Sequence, residues 1–395
     1  MKPGVDSRNK RVIIVGDIHG SSRPLHALLD KLAYDSRSDV LIHVGDVAAK
    51  GTHEGSLAVL EYLAANNVTG VRGNHDQKIV EWRAWMDWIR GLEGGAKWLA
   101  EVEEQAGMQG NDISEELVEE ELNNVVRSGK WRKKIPKGWK MFSDHYRIAR
   151  DMSKKQYEYL LSLPIVLHVP SAHTYIVHAG LLPYDPTRDE MHWRQPLSHV
   201  PSLSLVPSIL QSKTRKDVEH LRLLQEQALL YDIPQNTDPW VKMNIRSVKN
   251  NKVTKSSKKG TPWSEIWNAA MESCDGFGID GADADLARKK KGKKSLPCRS
   301  STVVYGHAAS RGLDIKRWSI GTDTGCVIFF LTFLFRSCAD EYHQVYGRRL
   351  SALVLGSSSS HLTSGEVDKY DDDLDLQSIS YGDDGRGQIV SIKCH

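Results

Sequence analysis

Arg11-Val-Ile-Ile-Val-Gly-Asp-Ile-His-Gly20 carries a short apolar run that ends in two metal-capable side chains held between glycines. A run of that length, rich in β-branched residues and bounded by glycine, predicts a fully buried strand. Asp17 and His19 then fall on the same side of its exit loop. Working outward, the sequence predicts a helix over Pro24–Tyr34 opened by Ser22, a strand over Val40–Val44, a helix over Thr52–Asn66 and a strand over Val68–Arg72. Strands alternating with helices of this size predict βαβ units and a mainly parallel sheet, an α/β class. Further on, helices are expected over Ser153–Leu161 and Val218–Leu230. Strands are expected over Ile165–His168, Thr174–Val177, Thr302–Tyr305 and Gln388–Lys393.

The apolar strands share one feature. Five of them run into ligand-type residues: Asp17 and His19, Asp46, Asn74 and His75, His178, and His307. In open α/β sheets, ligands sit beyond the carboxyl ends of strands, so these tips can converge on one crevice. One histidine after a strand is more often a core or capping residue; five coincident strand ends are not accounted for in that way. Carboxylates, imidazoles and an amide form a mixed N/O donor set suited to Zn, Mn or Fe ions and not a thiolate site. A carboxylate between two sub-sites can bridge two ions, the arrangement used in phosphoryl chemistry.

Bulk properties narrow the alternatives. With 40% hydrophobic and 26% charged residues and a formal net charge of +3, the chain has a globular balance that gives no general reason to expect nucleic acid as a partner. The five cysteines are scattered without a CxxC pair, which reads as ordinary thiols. The polar start leaves no room for a signal peptide, and Val327–Phe335 is too short to span a bilayer, so no membrane segment is expected. The run Gly281–Ser295 reads as a solvated basic loop, with a polyanion or nuclear-import patch as the alternative.

Asp17-Ile-His-Gly, Gly45-Asp46, Gly73-Asn-His-Asp76, His178-Ala-Gly and Gly306-His307 together resemble, in order, the motif set of the calcineurin-like metallophosphoesterases. Gly321-Thr-Asp-Thr-Gly-Cys-Val327 is similar to the signature of the branch that holds symmetrical diadenosine tetraphosphate hydrolases and fungal vacuolar endopolyphosphatases. The resemblance implies a four-layer α/β sandwich, with two mixed β-sheets packed together and flanked by helices. It implies a single domain over 11–355 with insertions at about 92–150, 186–260, 275–298 and 327–344, between a polar tail at 1–10 and another at 356–395 that holds a candidate last strand at 388–393.

The same resemblance implies two divalent metal ions (Zn, Mn, Co, Fe or Mg). Asp17, His19 and Asp46 would hold one, and Asp46, Asn74, His178 and His307 the other, with a metal-bridging hydroxide as nucleophile. His75 would be the general acid. Lys50 and Arg246 would stabilise the phosphoryl oxygens. Where protein phosphatases carry an aspartate that orients the acid histidine, this chain has Ala49; Asp76 is the nearest substitute. That departure favours phosphoanhydrides, which leave as phosphate and need less protonation than a serine alkoxide. The implied enzyme is an endopolyphosphatase or dinucleoside-polyphosphate hydrolase acting on a polyanionic phosphate substrate, with a protein serine/threonine phosphatase acting on phosphoprotein as the alternative. Outside the enzymes, the alternative is a catalytically impaired binding scaffold.

Two further segments raise expectations. Trp263 and Trp267, one helical turn apart, read as core packing of a helix face, with a wall of the substrate cleft as the alternative. Removing Val327–Gln344 restores Cys-Val-Tyr-Gly-Arg-Arg-Leu, the branch continuation, which reads as a retained intron; a real insertion is the alternative. The chain reads as cytoplasmic, or as vacuolar if a membrane anchor such as fungal relatives carry precedes it.

Overall fold

A computed structural model describes residues 10–106, 131–201, 215–278, 295–326, 348–356 and 374–394. The first sheet joins β1 (Arg11–Val15), β2 (Asp39–His43), β3 (Thr69–Gly70), β12 (Arg349–Leu355), β13 (Leu374–Tyr381) and β14 (Gly385–Lys393) in the order β13-β14-β12-β1-β2-β3. Strands β1, β2 and β3 run parallel, as the βαβ pattern predicts, while β12, β14 and β13 add an antiparallel half. The second sheet joins β4 (Val166–Val169), β5 (Thr174–Val177), β9 (Thr302–Tyr305), β10 (Asp314–Ile315) and β11 (Ser319–Gly321) in the order β10-β11-β9-β5-β4. Both sheets are therefore mixed.

The opening strand explains itself once both of its faces are seen to be covered. Ile14 points between the sheets, where it meets Ile42, Val44 and Val71 from its own sheet and Ile176, Val304 and Ile320 from the other. Ile13 and Val15 point the opposite way, under α1 (Ser22–Lys31), α2 (His53–Ala65) and α3 (Asn74–Arg90), where Leu25, Leu28, Val59, Leu60 and Met86 are buried. A strand buried on both sides reads as a continuous apolar run and not as an alternation. Helices α4 (Gly95–Gln105), α5 (Asp144–Asp151) and α6 (Lys154–Ser162) extend this outer layer, and Ser153 opens α6 with a capping box to Gln156.

On the far side, α7 (Arg215–Tyr231), the short helices α8 (Pro234–Thr237) and α9 (Pro239–Asn244), and α10 (Trp263–Glu272) cover the second sheet. The result is four layers: helices, sheet, sheet, helices. A small third sheet of β6 (Ser247–Lys249), β7 (Lys252–Thr254) and β8 (Thr261–Pro262) stands beside the second. Trp263 and Trp267 are buried in that second core, where Trp267 Nε1 donates to the Ser301 carbonyl at 3.1 Å.

Several expectations change. Cys338 lies outside the described residues, and the other four cysteines are not ordinary thiols: Cys274 pairs with Cys298, and Cys326 with Cys394. Their spacings of 24 and 68 residues hide the pairing, because only the fold brings these loop ends together. The candidate last strand at 388–393 is β14, which pairs with β12 over seven residues, while β13, not foreseen in the polar tail, completes a hairpin with it. Helix α4 lies within the insertion expected at about 92–150. The third strand is shorter than expected. Most of the basic run 281–295, the segment 327–344 and the tail 1–9 lie outside the described residues.

Candidate metal centre

The strand tips meet around Asp46. Its carboxylate Oδ1 accepts a hydrogen bond from the His75 backbone N–H at 2.8 Å, tying the loop after β2 to the first turn of α3. Oδ2 lies 3.3 Å from His178 Nε2 and 3.8 Å from His19 Nε2. Burial alone would raise this carboxyl, but His178, His75 and His19 around it hold it well below the usual carboxylate range.

Two groups of donors share this residue. Asp17, His19 and Asp46 form one, and Asp46, His178 and His307 the other, each with ligand atoms within 4.8 Å of one another. His19 Nδ1 lies 3.1 Å from the Ala49 carbonyl, and His178 Nδ1 lies 2.9 Å from the Val44 carbonyl. A carbonyl only accepts, so each Nδ1 carries the hydrogen, and in the neutral ring each Nε2 turns a lone pair inward. His178 Nε2 then faces Asp46 Oδ2 and, at 3.1 Å, Asn74 Oδ1. With His178 neutral, these three acceptors converge without a hydrogen between them and are satisfied by a cation. Burial alone would lower His178, but Asp46 beside it raises it, so the same spot draws positive charge in either case. His307 Nε2 gives the same sign, being buried with no hydrogen-bond partner. Asp17 adds a third: burial, then the neighbouring Asp323 and Asp46, push its carboxyl well above its usual range, a crowding of acids that bound cations relieve. The residues present fit divalent metal ions.

Glycines let these side chains close in. A Cβ on Gly73 would run into Asp46 Oδ1 and its backbone nitrogen, and one on Gly306 into Asp17 Oδ1. Gly306→Ala is expected to displace Asp17 and lower kcat by about 100-fold, the scale of an ångström-sized misplacement. Bound metal per chain, measured by elemental analysis, should fall with it; a variant that keeps its full metal and turnover would refute the tight fit.

The remaining predicted residues are placed unequally. The Lys50 backbone N–H donates to Asp144 Oδ2 at 2.5 Å at the start of α5. Arg246 Nη2 donates to the His307 carbonyl at 3.0 Å, so this guanidinium stands beside the second donor group, and its Nε is buried without a partner. Asp76 does not orient His75. Its carboxylate accepts from the Val47 and Gly73 backbone N–H groups at 3.0 and 2.9 Å, holding the β2 loop against the start of α3. Burial, with Asp46 nearby, pushes it up to about 6.

Two residues escape sequence reasoning. His145, on α5, meets His75: Nδ1 of His75 lies 2.7 Å from Nε2 of His145, and the rings stack at 13° with centroids 5.0 Å apart. Burial draws His75 down to about 2 and His145 to about 4, and a single hydrogen lies between these two nitrogens. Asp323 follows β11, is buried, and lies against Asp17. The strand-end rule that finds the other ligands reaches Asp323 as well; His145 has no local signal.

Two packed mixed sheets thus bring one donor cluster together at their strand tips. Residues 10–202 match the Calcineurin-like phosphoesterase family model, and the chain carries a calcineurin-like phosphoesterase domain. It is similar to "Serine/threonine-protein phosphatase 1" of Salmonella typhimurium, 34% identical over 99 residues, which are 25% of this chain and 45% of that protein. It is also similar to the symmetrical bis(5'-nucleosyl)-tetraphosphatase of Haemophilus ducreyi, 43% identical over 65 residues, 16% of this chain and 23% of that one. The matches thus span less than half the length of these curated relatives. Among solved structures, one provisionally described as a diadenosine tetraphosphatase superposes with a TM-score of 0.42 at 21% identity, covering 89% of this chain and 91% of that one.

Proposed function

We propose that the chain is a metal-dependent hydrolase of phosphoric anhydrides, with polyphosphate or dinucleoside polyphosphates as substrates. Asp17, His19 and Asp46 would hold one cation, and Asp46, Asn74, His178 and His307 the other. Divalent ions bound there would acidify water and polarise a phosphoryl oxygen. Asp46 also anchors the His75 backbone, which fixes the acid relative to both donor groups. Arg246 and Lys50 supply positive charge for the phosphoryl oxygens.

The observation that carries the substrate class is the His75–His145 pair. Ala49 leaves no carboxylate in the second motif, and Asp76 is engaged elsewhere, so the partner of His75 is an imidazole. A neutral ring stabilises an imidazolium less than a carboxylate does, which makes protonation of a poor leaving group harder. Phosphate leaving from an anhydride needs little protonation; a serine alkoxide needs much. The intact donor set at every strand tip speaks against a catalytically impaired scaffold. The two disulfides favour an oxidising compartment such as a vacuolar or secretory lumen over the reducing cytosol.

The test is a panel of long-chain polyphosphate, diadenosine tetraphosphate and a phosphopeptide, each assayed with Zn²⁺, Mn²⁺, Co²⁺ or Mg²⁺. Cleavage of the anhydrides is expected. Turnover of the phosphopeptide alone would move the chain to the protein phosphatases.

A further inference from the structure

Beyond the metal centre, the hairpin that begins at Arg246 carries a strongly basic surface. From Val241 to Ser264 the chain holds seven Lys and Arg residues and no Asp or Glu. Lys249, Lys252, Lys255, Lys258 and Lys259 are all exposed. Val248 and Val253 pack against the second core, so alternation along β6 and β7 turns Lys249 and Lys252 to the other face.

The register pairs Lys249 directly with Lys252. Like charges opposite one another on neighbouring strands destabilise a hairpin. The turn between them is Asn250-Asn251, both with positive φ (49° and 60°), the tight two-residue geometry that matches strand twist. The tip is thus well built as a turn yet carries a repulsive pair, a pattern better explained by an anionic partner than by folding. Its root is fixed as well: the Arg246 N–H donates to the Thr254 carbonyl at 2.9 Å, and Arg311 Nη2 donates to the Arg246 carbonyl at 2.9 Å. Since Arg246 also bonds the His307 carbonyl, the basic strip is rooted at the metal centre, and Lys249 stands on the order of 10 Å along the strand from Arg246.

We propose that this hairpin binds the uncleaved run of a linear inorganic polyphosphate chain while one of its anhydrides occupies the metal centre. The proposal rests on the anhydride-hydrolase reading and deepens it: a row of lysines suits a substrate that continues beyond the site with one negative charge per repeat and no bases to read. A dinucleoside tetraphosphate is too short to use the whole strip.

The test compares the parent with the K249Q/K252Q/K255Q triple variant. Binding of long-chain polyphosphate is measured in EDTA, where turnover stops; cleavage of polyphosphate and of tripolyphosphate is measured with Mn²⁺. The variant should bind long chains at least about tenfold more weakly, with a shallower salt dependence, and its KM for them should rise. Its kcat and KM for tripolyphosphate should hold. Equal effects on long and short substrates, or none on either, overturn the proposal. So does oligothymidylate binding the parent as tightly as polyphosphate does, which would mark a nucleic-acid surface. If the parent cleaves no anhydride, the functional reading fails, while the EDTA binding arm still decides the hairpin.

A second variant separates binding from folding damage. Lys252→Glu converts the repulsive pair into an attractive one, so its Tm should equal or exceed the parent's while polyphosphate affinity falls. A lower Tm accompanying the lost affinity would overturn the proposal.

Discussion

Asp46→Asn is expected to remove turnover almost completely, by on the order of 10³-fold or more, the upper range for loss of a single catalytic group. An asparagine oxygen can still accept the His75 backbone N–H, so the start of α3 and the position of the acid survive. What is lost is the one negative charge common to both donor groups. The lesion is therefore in cation binding, and a second measurement reads it without any substrate. A ligand that binds only the folded state at 100 times its Kd stabilises that state by about 2.7 kcal/mol. Saturating Mn²⁺ should accordingly raise the parent's Tm clearly and leave the variant's nearly unchanged. Full turnover in the variant, or an unaltered response to Mn²⁺, would mean that the cluster is a buried polar network and not a metal centre.

Asp46 belongs to the part of the molecule that is open to reading from sequence, and the reason is local. A strand covered on both faces must be apolar throughout, so Arg11–Val15, Thr174–Val177 and Thr302–Tyr305 stand out from their surroundings. Polar residues placed directly after such strands are conspicuous, and the structure brings Asp17, His19, Asp46, Asn74, His178 and His307 into one cluster.

What stays hidden depends on long-range geometry. His145 reaches His75 across 70 residues of chain, from a helix whose sequence signals nothing catalytic. Asp76 misleads for the opposite reason. Adjacent residues on a helix point about 100° apart, so the neighbour of His75 faces the β2 loop and not the ring. The cysteines mislead because a disulfide between distant loops leaves no spacing pattern. β13 is masked by the acidic and serine-rich stretch before it, whereas the apolar residues within Gln388–Lys393 show β14, which joins the sheet beside β12.

The His75–His145 pair makes the second large prediction. His75→Ala is expected to lower kcat by about 10²–10³-fold on an alkyl phosphate ester, where the leaving oxygen needs its proton, and by much less on an anhydride. His145→Ala leaves the acid in place but frees its ring. Its effect should be about tenfold on the ester, in the range found when an orienting partner is removed, with KM and metal content unchanged. Because His145 acts through His75, the double variant should be no slower than His75→Ala alone. The leaving group gives the sharper discrimination. Across a series of aryl phosphates, both single variants should steepen the dependence of rate on leaving-group pKa, since neither delivers the proton as well as the parent. If His145→Ala slowed every substrate equally, its ring would only support the fold of α5. If it slowed none, the proton on the leaving oxygen would come from another group.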